Sequence, residues 1–600
     1  MITRYDYLNI AVYFAFVLAI GLYFSRRSKN TSDYFRGGGA LPWWITGAGA
    51  WMAGFSAWTF TGTAAEIYQT GPYALIIFYA NLTALFAILF FTCYRLRRMR
   101  VVTPFEAVRL RFGPATQQFY TWIRLPVAVI LASMMLNTVG VFMAGAFGSD
   151  LTSTIVVLGF TVTFVSLLGG SFAVAASDFV QMLIVVTVTL IVSVLALAHP
   201  SIGGVSGLVA KVPTAHLNWS EFARPELIAF WFFALTLNNL FVQNSLSDDR
   251  TAKFMMARSD RHARLMLAIP IAGTIITPLL WVIPPMAAAV LHPNIGAYFP
   301  NLKYPAEGAF LLTAHTVLPQ GMLGLLICGI FAATLTHADT ILNQGAGMLI
   351  RNFYLPVVDP YCSEKKLLRL SKFATAIFGV LIILLAVYVS KQRTTGLFHL
   401  LNQLGIALML PLAIPTCLGM FYKRTPSWSA WSTVVIGFSF AAFATFVLKP
   451  EMLDWIPGFK GPFTPKELNQ FANIATVTLV GTSCVIWFFF TSLFYDRSSA
   501  VHKANVEEFF ERLRTPLLEP KEEAAEDLVF PTSVGRFCLL YGGIITLFAA
   551  IPNSLSGRLC FVACGGMILT VGVLLTLRYK RKAALSAKPA TPTTANKFTK

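Results

Sequence analysis

The sequence predicts an all-α protein that crosses a membrane many times, and three observations carry that prediction. Only 12% of the 600 residues are charged and 56% are hydrophobic, with a mean hydropathy of +0.66; a soluble globular chain carries roughly 25% charged residues. The runs Leu82–Cys93, Leu151–Leu168 and Met182–Ala198 hold almost no charge, and a run of about 18 or more apolar residues reads as a membrane span. The alternating ten-residue segments of a transmembrane barrel do not occur, so the backbone polar groups must be satisfied inside helices.

Taken in order, apolar length and flanking charge predict about fifteen spans. Their limits are 7–25, 42–69, 73–94, 117–147, 152–169, 173–198, 225–246, 265–290, 321–350, 371–390, 396–421, 428–448, 472–495, 535–551 and 557–578. The first is followed by Arg26, Arg27 and Lys29. It lacks a basic leader and a small-residue cleavage site, and so reads as a retained span. Basic residues cluster in alternate connections: Arg26, Arg27, Lys29 and Arg36; Arg95, Arg97, Arg98, Arg100, Arg109 and Arg111; Arg250, Lys253, Arg258, Arg261 and Arg264; Lys365, Lys366, Arg369 and Lys372. The positive-inside rule places these connections in the cytoplasm, with the N-terminus outside and the C-terminus inside a cytoplasmic (inner or plasma) membrane. Because the net charge of +19 is dispersed in this way, it forms no continuous basic face for nucleic acid. The eight cysteines include no CxxC pair, which argues against a disulfide or zinc framework.

Two stretches lie outside the bilayer. In 499–514, Val506, Phe509, Phe510 and Leu513 recur at helical spacing opposite Glu507, Glu508, Glu511, Arg512 and Arg514. This predicts an amphipathic helix on the cytoplasmic interface or packed under the bundle, within a linker over 499–534. The basic tail 579–600, rich in Ala, Pro, Thr and Lys towards its end, is expected to be disordered.

The candidate chemistry is concentrated in four spans. Span two, Trp43 to Gly62, is crowded with Gly, Ser and Thr at its middle. Glycine weakens a helix interior, and a helix opened at mid-membrane exposes carbonyls that suit a hard cation; a small-residue packing seam has the same composition. Span nine carries Thr334, Thr336, His337, Asp339, Thr340 and Asn343, and ionisable groups inside a span usually line a pathway. Asp178 sits near the start of span six, either as a helix-dipole partner or as a cation ligand. Span seven carries Asn238, Asn239, Gln243 and Asn244, amides that hydrogen-bond a polar solute or a neighbouring helix. Walker A, HExxH and GxSxG patterns do not occur, so no enzyme site and no cofactor is expected.

These stretches, with Asp33–Pro42, Gly169–Gln181, Lys253–Asp260, Ala332–Asn343 and Pro415–Arg424 in this order and spacing, resemble the sodium/solute symporter family. The resemblance implies a five-plus-five inverted-repeat, LeuT-type helical bundle over 42–424. Residues 1–41 would then form a first span and loop, 425–498 two further spans, and 535–578 two C-terminal spans beyond the family core. It implies cation-coupled symport of a small polar solute by alternating access through the lipid bilayer. The implied sodium ligands are the carbonyls of Met52, Phe55 and Ala333 and the hydroxyl of Thr336. The next position, Ser or Thr in the family, is His337 here. Imidazole is a poorer sodium ligand than a hydroxyl and titrates near neutral pH, so a proton-coupled or uncoupled transporter is the alternative. Asp178, Thr336, Asp339 and Thr340 match a second cation site, and Ser56, Thr59, Asn239 and Gln243 match solute positions. Apart from Glu66, no charged residue is expected beside the solute.

Overall fold

The computed structural model describes residues 2–25, 41–101, 103–169, 171–248, 250–393, 395–453, 462–518 and 525–586, in two compact units, 1–518 and 519–600. In the first unit α1 (Arg4–Ser25) precedes a divided span two. Its halves are α2 (Trp43–Ala53) and α3 (Gly62–Thr70), joined by a 3₁₀ turn at Ala57–Thr59. Next come α4 (Ile76–Ala87), the short α5 (Pro104–Phe112) capped by Thr103, α6 (Pro114–Phe147), α7 (Leu151–Gly169) and α8 (Ser171–Ala198). The second half starts with α9 (Pro225–Gln243) and α10 (Thr251–Met255). It continues through α11 (Ala268–Trp281), α12 (Ile283–Leu291), α13 (Met322–Gly347), α14 (Glu364–Gln392) and α15 (Leu397–Leu418). After it come α16 (Ser429–Phe446), α17 (Pro465–Phe490) and α18 (Ala500–Arg514).

Among the described residues, thirteen helical stretches are long and apolar enough to cross a membrane, and Leu151–Leu167 falls just short. The helix α13 is buried nearly all round and packs against α1, α2, α6, α8 and α14, so its polar residues face other helices. By contrast α14 exposes Phe373, Ile377, Val380, Leu384 and Tyr388 along one side, a surface suited to lipid.

Among the described residues, two spans open into non-helical segments of several residues, and they begin the two halves. Span two stops at Ala53, where the N–H groups of Gly54 and Phe55 fold back onto the carbonyls of Trp51 and Met52, each at 3.1 Å. Ser56 then takes extended backbone and caps the 3₁₀ turn by accepting from Trp58 N at 3.3 Å. Span seven, expected as unbroken over 225–246, ends at Gln243, and the described residues 244–248 and 250 are non-helical before α10 begins at Thr251. The cause is local: Ser247 N donates to Ser245 Oγ (3.1 Å), Arg250 N to Asp248 Oδ1 (2.8 Å) and Thr251 Oγ1 to the Ser245 carbonyl (2.8 Å). Short polar side chains here offer the backbone an alternative to the helical ladder.

The amphipathic helix predicted over 499–514 is α18. Its Val506, Phe509, Phe510 and Leu513 are buried against the unit, and it packs on α5. Arg98 Nη1 donates to the Leu513 carbonyl at 2.9 Å, and the ring of His502 lies 3.0 Å from the Thr425 carbonyl.

The second unit is a hairpin of α19 (Ala525–Leu547) and α20 (Leu555–Ser586). A Cβ on Gly542 would fall 2.8 Å from Leu569 N, and one on Gly565 would fall 2.6 Å from the Gly542 carbonyl, so the two backbones touch through a small-residue seam. Both ends of the hairpin exceed expectation. The helix expected from 535 starts at Ala525, inside the stretch assigned to the linker 499–534. The strong helix formers Lys582, Ala583, Ala584 and Leu585 carry α20 to Ser586, into the expected tail. Residues 587–600 of that tail lie outside the described residues.

Candidate cation and solute site

The break in span two faces α13. Ala57 N donates to Thr334 Oγ1 at 2.9 Å, tying the opened turn to that helix. Met52 and Ala333 are fully buried and Phe55 nearly so. Among the described residues no hydrogen-bond donor reaches the Phe55 carbonyl, so one carbonyl beside the break keeps both lone pairs. Ala333 lies one turn before Thr336 on α13, and Thr334 between them holds the break.

Thr336 is buried, and its hydroxyl donates to Asp178 Oδ1 at 2.6 Å, with Gln181 Oε1 at 3.2 Å. A hydroxyl has one proton and two lone pairs. With the proton directed at Asp178, the lone pairs remain for a cation. The Thr340 hydroxyl instead donates to the Thr336 carbonyl at 2.8 Å. His337 is partly buried on the same helix, and the Asp339 side chain lies outside the described residues.

A residue that the charge pattern had assigned to a cytoplasmic connection completes this cluster. Lys253, on α10, is 3% exposed, and its Nζ lies 3.1 Å from Asp178 Oδ2; Asp178 is fully buried. Gly49 on α2 lies against the pair: a Cβ there would stand 3.0 Å from Asp178 Oδ2 and 3.4 Å from Lys253 Nζ. Both broken helices therefore meet α8 and α13 at one carboxylate. Gln181 Nε2 extends the network to Tyr13 Oη of α1 at 2.9 Å. A cavity of about 30 Å³ touches Ser177, Asp178, Gln181 and Thr336, with aliphatic walls elsewhere.

Among the expected solute positions, the Gln243 amide donates to Asn81 Oδ1 of α4. Asn239 is half-buried one turn earlier on α9. Asn244 accepts from Thr92 Oγ1 (2.5 Å) and donates to the Leu240 carbonyl (2.9 Å), so its amide joins helices. Ser56 and Thr59 are buried in the turn between α2 and α3. Beside the break lies a cavity of about 50 Å³ walled by Trp51, Phe55, Asn81, Arg250, Thr277 and Trp281. The Phe55 ring packs on Trp51 and Trp281 with centroids at 5.1 and 4.7 Å. Arg250, read from the sequence as another cytoplasmic-loop charge, lines this cavity. Its Nε and Nη2 grip Asp248 Oδ1 and Oδ2 at 2.9 and 2.8 Å. Glu66 itself lies on α3, with His399 Nε2 at 3.5 Å and Lys466 Nζ at 3.6 Å.

Sequence reasoning thus missed Asn81, Arg250 and the role of Lys253. The available signal was Ser245-Leu246-Ser247-Asp248, whose short polar side chains mark a backbone that can leave the helix.

Comparison with known proteins agrees with this architecture. A profile of the Sodium:solute symporter family matches residues 34–437, and the chain belongs to that family: it is a multi-pass membrane transporter of the symporter class and not an enzyme. Among its relatives, a sodium/sialic acid symporter of Proteus mirabilis is 22% identical over 448 residues, covering 72% of this chain and 88% of the relative. A sodium/glucose cotransporter of Vibrio parahaemolyticus is 25% identical over 469 residues, covering 74% and 85%. The solved structure of a substrate-bound, outward-open Na⁺-coupled sialic acid symporter superposes with a TM-score of 0.66 at 18% identity, covering 86% of this chain and all of that one. The fold is the five-plus-five LeuT type, with the discontinuous helices α2/α3 and α9/α10 at corresponding positions of the two halves.

Proposed function

We propose that the protein couples the inward movement of a neutral polar solute to a sodium ion bound at the break in span two. One observation carries the reading: an opened backbone with a free carbonyl at Phe55, tied by Thr334 to the helix whose Thr336 hydroxyl has its proton held by Asp178. The carbonyls of Met52, Phe55 and Ala333 and the Thr336 hydroxyl form an oxygen set suited to a hard cation. His337 supplies no ligand in this reading.

The solute reading follows from the adjoining cavity. Its one described charge, Arg250, is matched by Asp248, and the other polar wall residues are Asn81, Thr274, Thr277 and the indoles Trp51 and Trp281. Such walls favour a neutral hydroxylated solute over a bare carboxylate. The basic connections support a cytoplasmic-membrane location with the N-terminus outside and the C-terminus inside. Thermal-shift measurements on purified protein test both parts, because a bound ligand stabilises by RT ln(1 + [L]/Kd). A panel of hexoses, cyclic polyols and monocarboxylates is assayed in sodium and in choline. The expected result is stabilisation by a neutral polyol, enlarged by sodium, since coupling between two sites is reciprocal. Stabilisation by monocarboxylates alone would refute the solute class, and shifts identical in the two salts would refute the coupling.

A further inference from the structure

We propose that Lys253 is a tethered cation: its ammonium holds the place at Asp178 that a second sodium ion would otherwise take, so the transporter binds one free sodium per cycle. The inference rests on the sodium reading above and deepens it by fixing the number of ions.

The argument starts from Asp178. A carboxylate with no solvent exposure needs a compensating charge, because an unpaired buried ion is very costly. Around it the structure places the Thr336 hydroxyl on one oxygen and the Lys253 ammonium on the other, at 2.6 and 3.1 Å. Lys253 is nearly as buried as its partner, so this is no solvated surface pair. Gly49 supplies the space, since any larger residue would press on both charged groups. An ammonium is a compact point charge, and here it is held in place by its own backbone, with Lys253 N bonded to the Arg250 carbonyl at 2.9 Å. Free sodium would have to displace an ion that cannot diffuse away.

What surrounds the pair supports the same conclusion. The adjoining cavity of about 30 Å³ is lined by Ser177, Asp178, Gln181 and Thr336 among mostly aliphatic residues, room for little more than a water molecule. With the Asp178 charge already met by Lys253, an ion entering there would leave water without gaining an anion. Removing the ammonium alone converts the same oxygens into a site with net negative charge.

The experiment counts ²²Na bound per purified, solute-free protein at saturation. Wild type and Lys253→Arg are expected to bind one ion. Lys253→Gln is expected to bind two, and Lys253→Gln combined with Asp178→Asn, which removes both charges, is expected to bind one. Two ions on the wild type, or one on folded Lys253→Gln, would overturn the inference. If Lys253→Gln does not purify as folded protein, Lys253→Met takes its place, with two ions expected and one ion overturning the inference. No sodium bound to the wild type would instead refute the sodium reading of the span-two break.

Discussion

The two broken helices are equivalent in position and opposite in chemistry. The break in span two is made of Gly54, Phe55, Ser56 and Ala57, carries no charge, and is held by a hydrogen bond from Ala57 N to a threonine on α13. The break in span seven contains Asp248 and Arg250 and is followed on α10 by Lys253, which reaches Asp178 on α8. An uncharged opening leaves backbone oxygens for an external ion. A charged opening satisfies itself and leaves its spare donors for a solute or for a neighbouring acid. The same fold position thus carries the proposed ion site in one half and the paired Asp248 and Arg250 in the other.

The largest effect should come from breaking the contact that joins the two regions. Asp178→Asn leaves the Lys253 ammonium buried without its anion, and removing one partner of a buried pair costs about 3–5 kcal/mol. The expected outcome is a large fall in melting temperature and yield, mostly restored by adding Lys253→Gln. An Asp178→Asn protein as stable as wild type would mean that the two breaks are not joined there.

Next in size is Thr336→Ala, which removes the proposed hydroxyl ligand on α13 that faces the uncharged break. The half-saturating sodium concentration for uptake should rise about tenfold or more, the scale of a hydrogen-bond-strength contact to a charged group. The melting temperature in the absence of sodium should shift much less than for Asp178→Asn. Unchanged sodium dependence would detach Thr336 from the ion.

A third change separates the regions. Asp248→Asn with Arg250→Gln removes the Asp248–Arg250 ion pair from the charged break and leaves Asp249 in place. Solute binding should weaken severalfold, while sodium binding measured without solute stays near wild type. Equal losses in both would show that the second break is structural for the whole bundle.

The smallest effect belongs to His337→Ser. With the imidazole outside the ligand set, the half-saturating sodium concentration should move less than about twofold, the scale of a substitution that removes no specific contact.

The same contrast explains what was legible in the sequence. The bundle was readable because its spans are long apolar runs. The break in span two was readable because glycine and small hydroxyl residues crowd one place, although a packing seam shares that composition. The break in span seven was not, because Arg250 and Lys253 look like the loop residues that mark a cytoplasmic connection. Only the tertiary fold shows that Lys253 is 3% exposed and faces a carboxylate 75 positions earlier in the chain. Asn81 was equally hidden, being a lone amide in an apolar run that acquires a role only when Gln243 is brought against it.

The coupling ion is the central claim, and uptake into proteoliposomes under separately imposed gradients tests it most directly. With a neutral polyol identified by thermal shift, an inward sodium gradient at equal pH on both sides should drive accumulation above equilibrium, and a proton gradient without sodium should not. Accumulation driven by the proton gradient alone, indifferent to sodium, would contradict the account and make His337 the leading proton carrier.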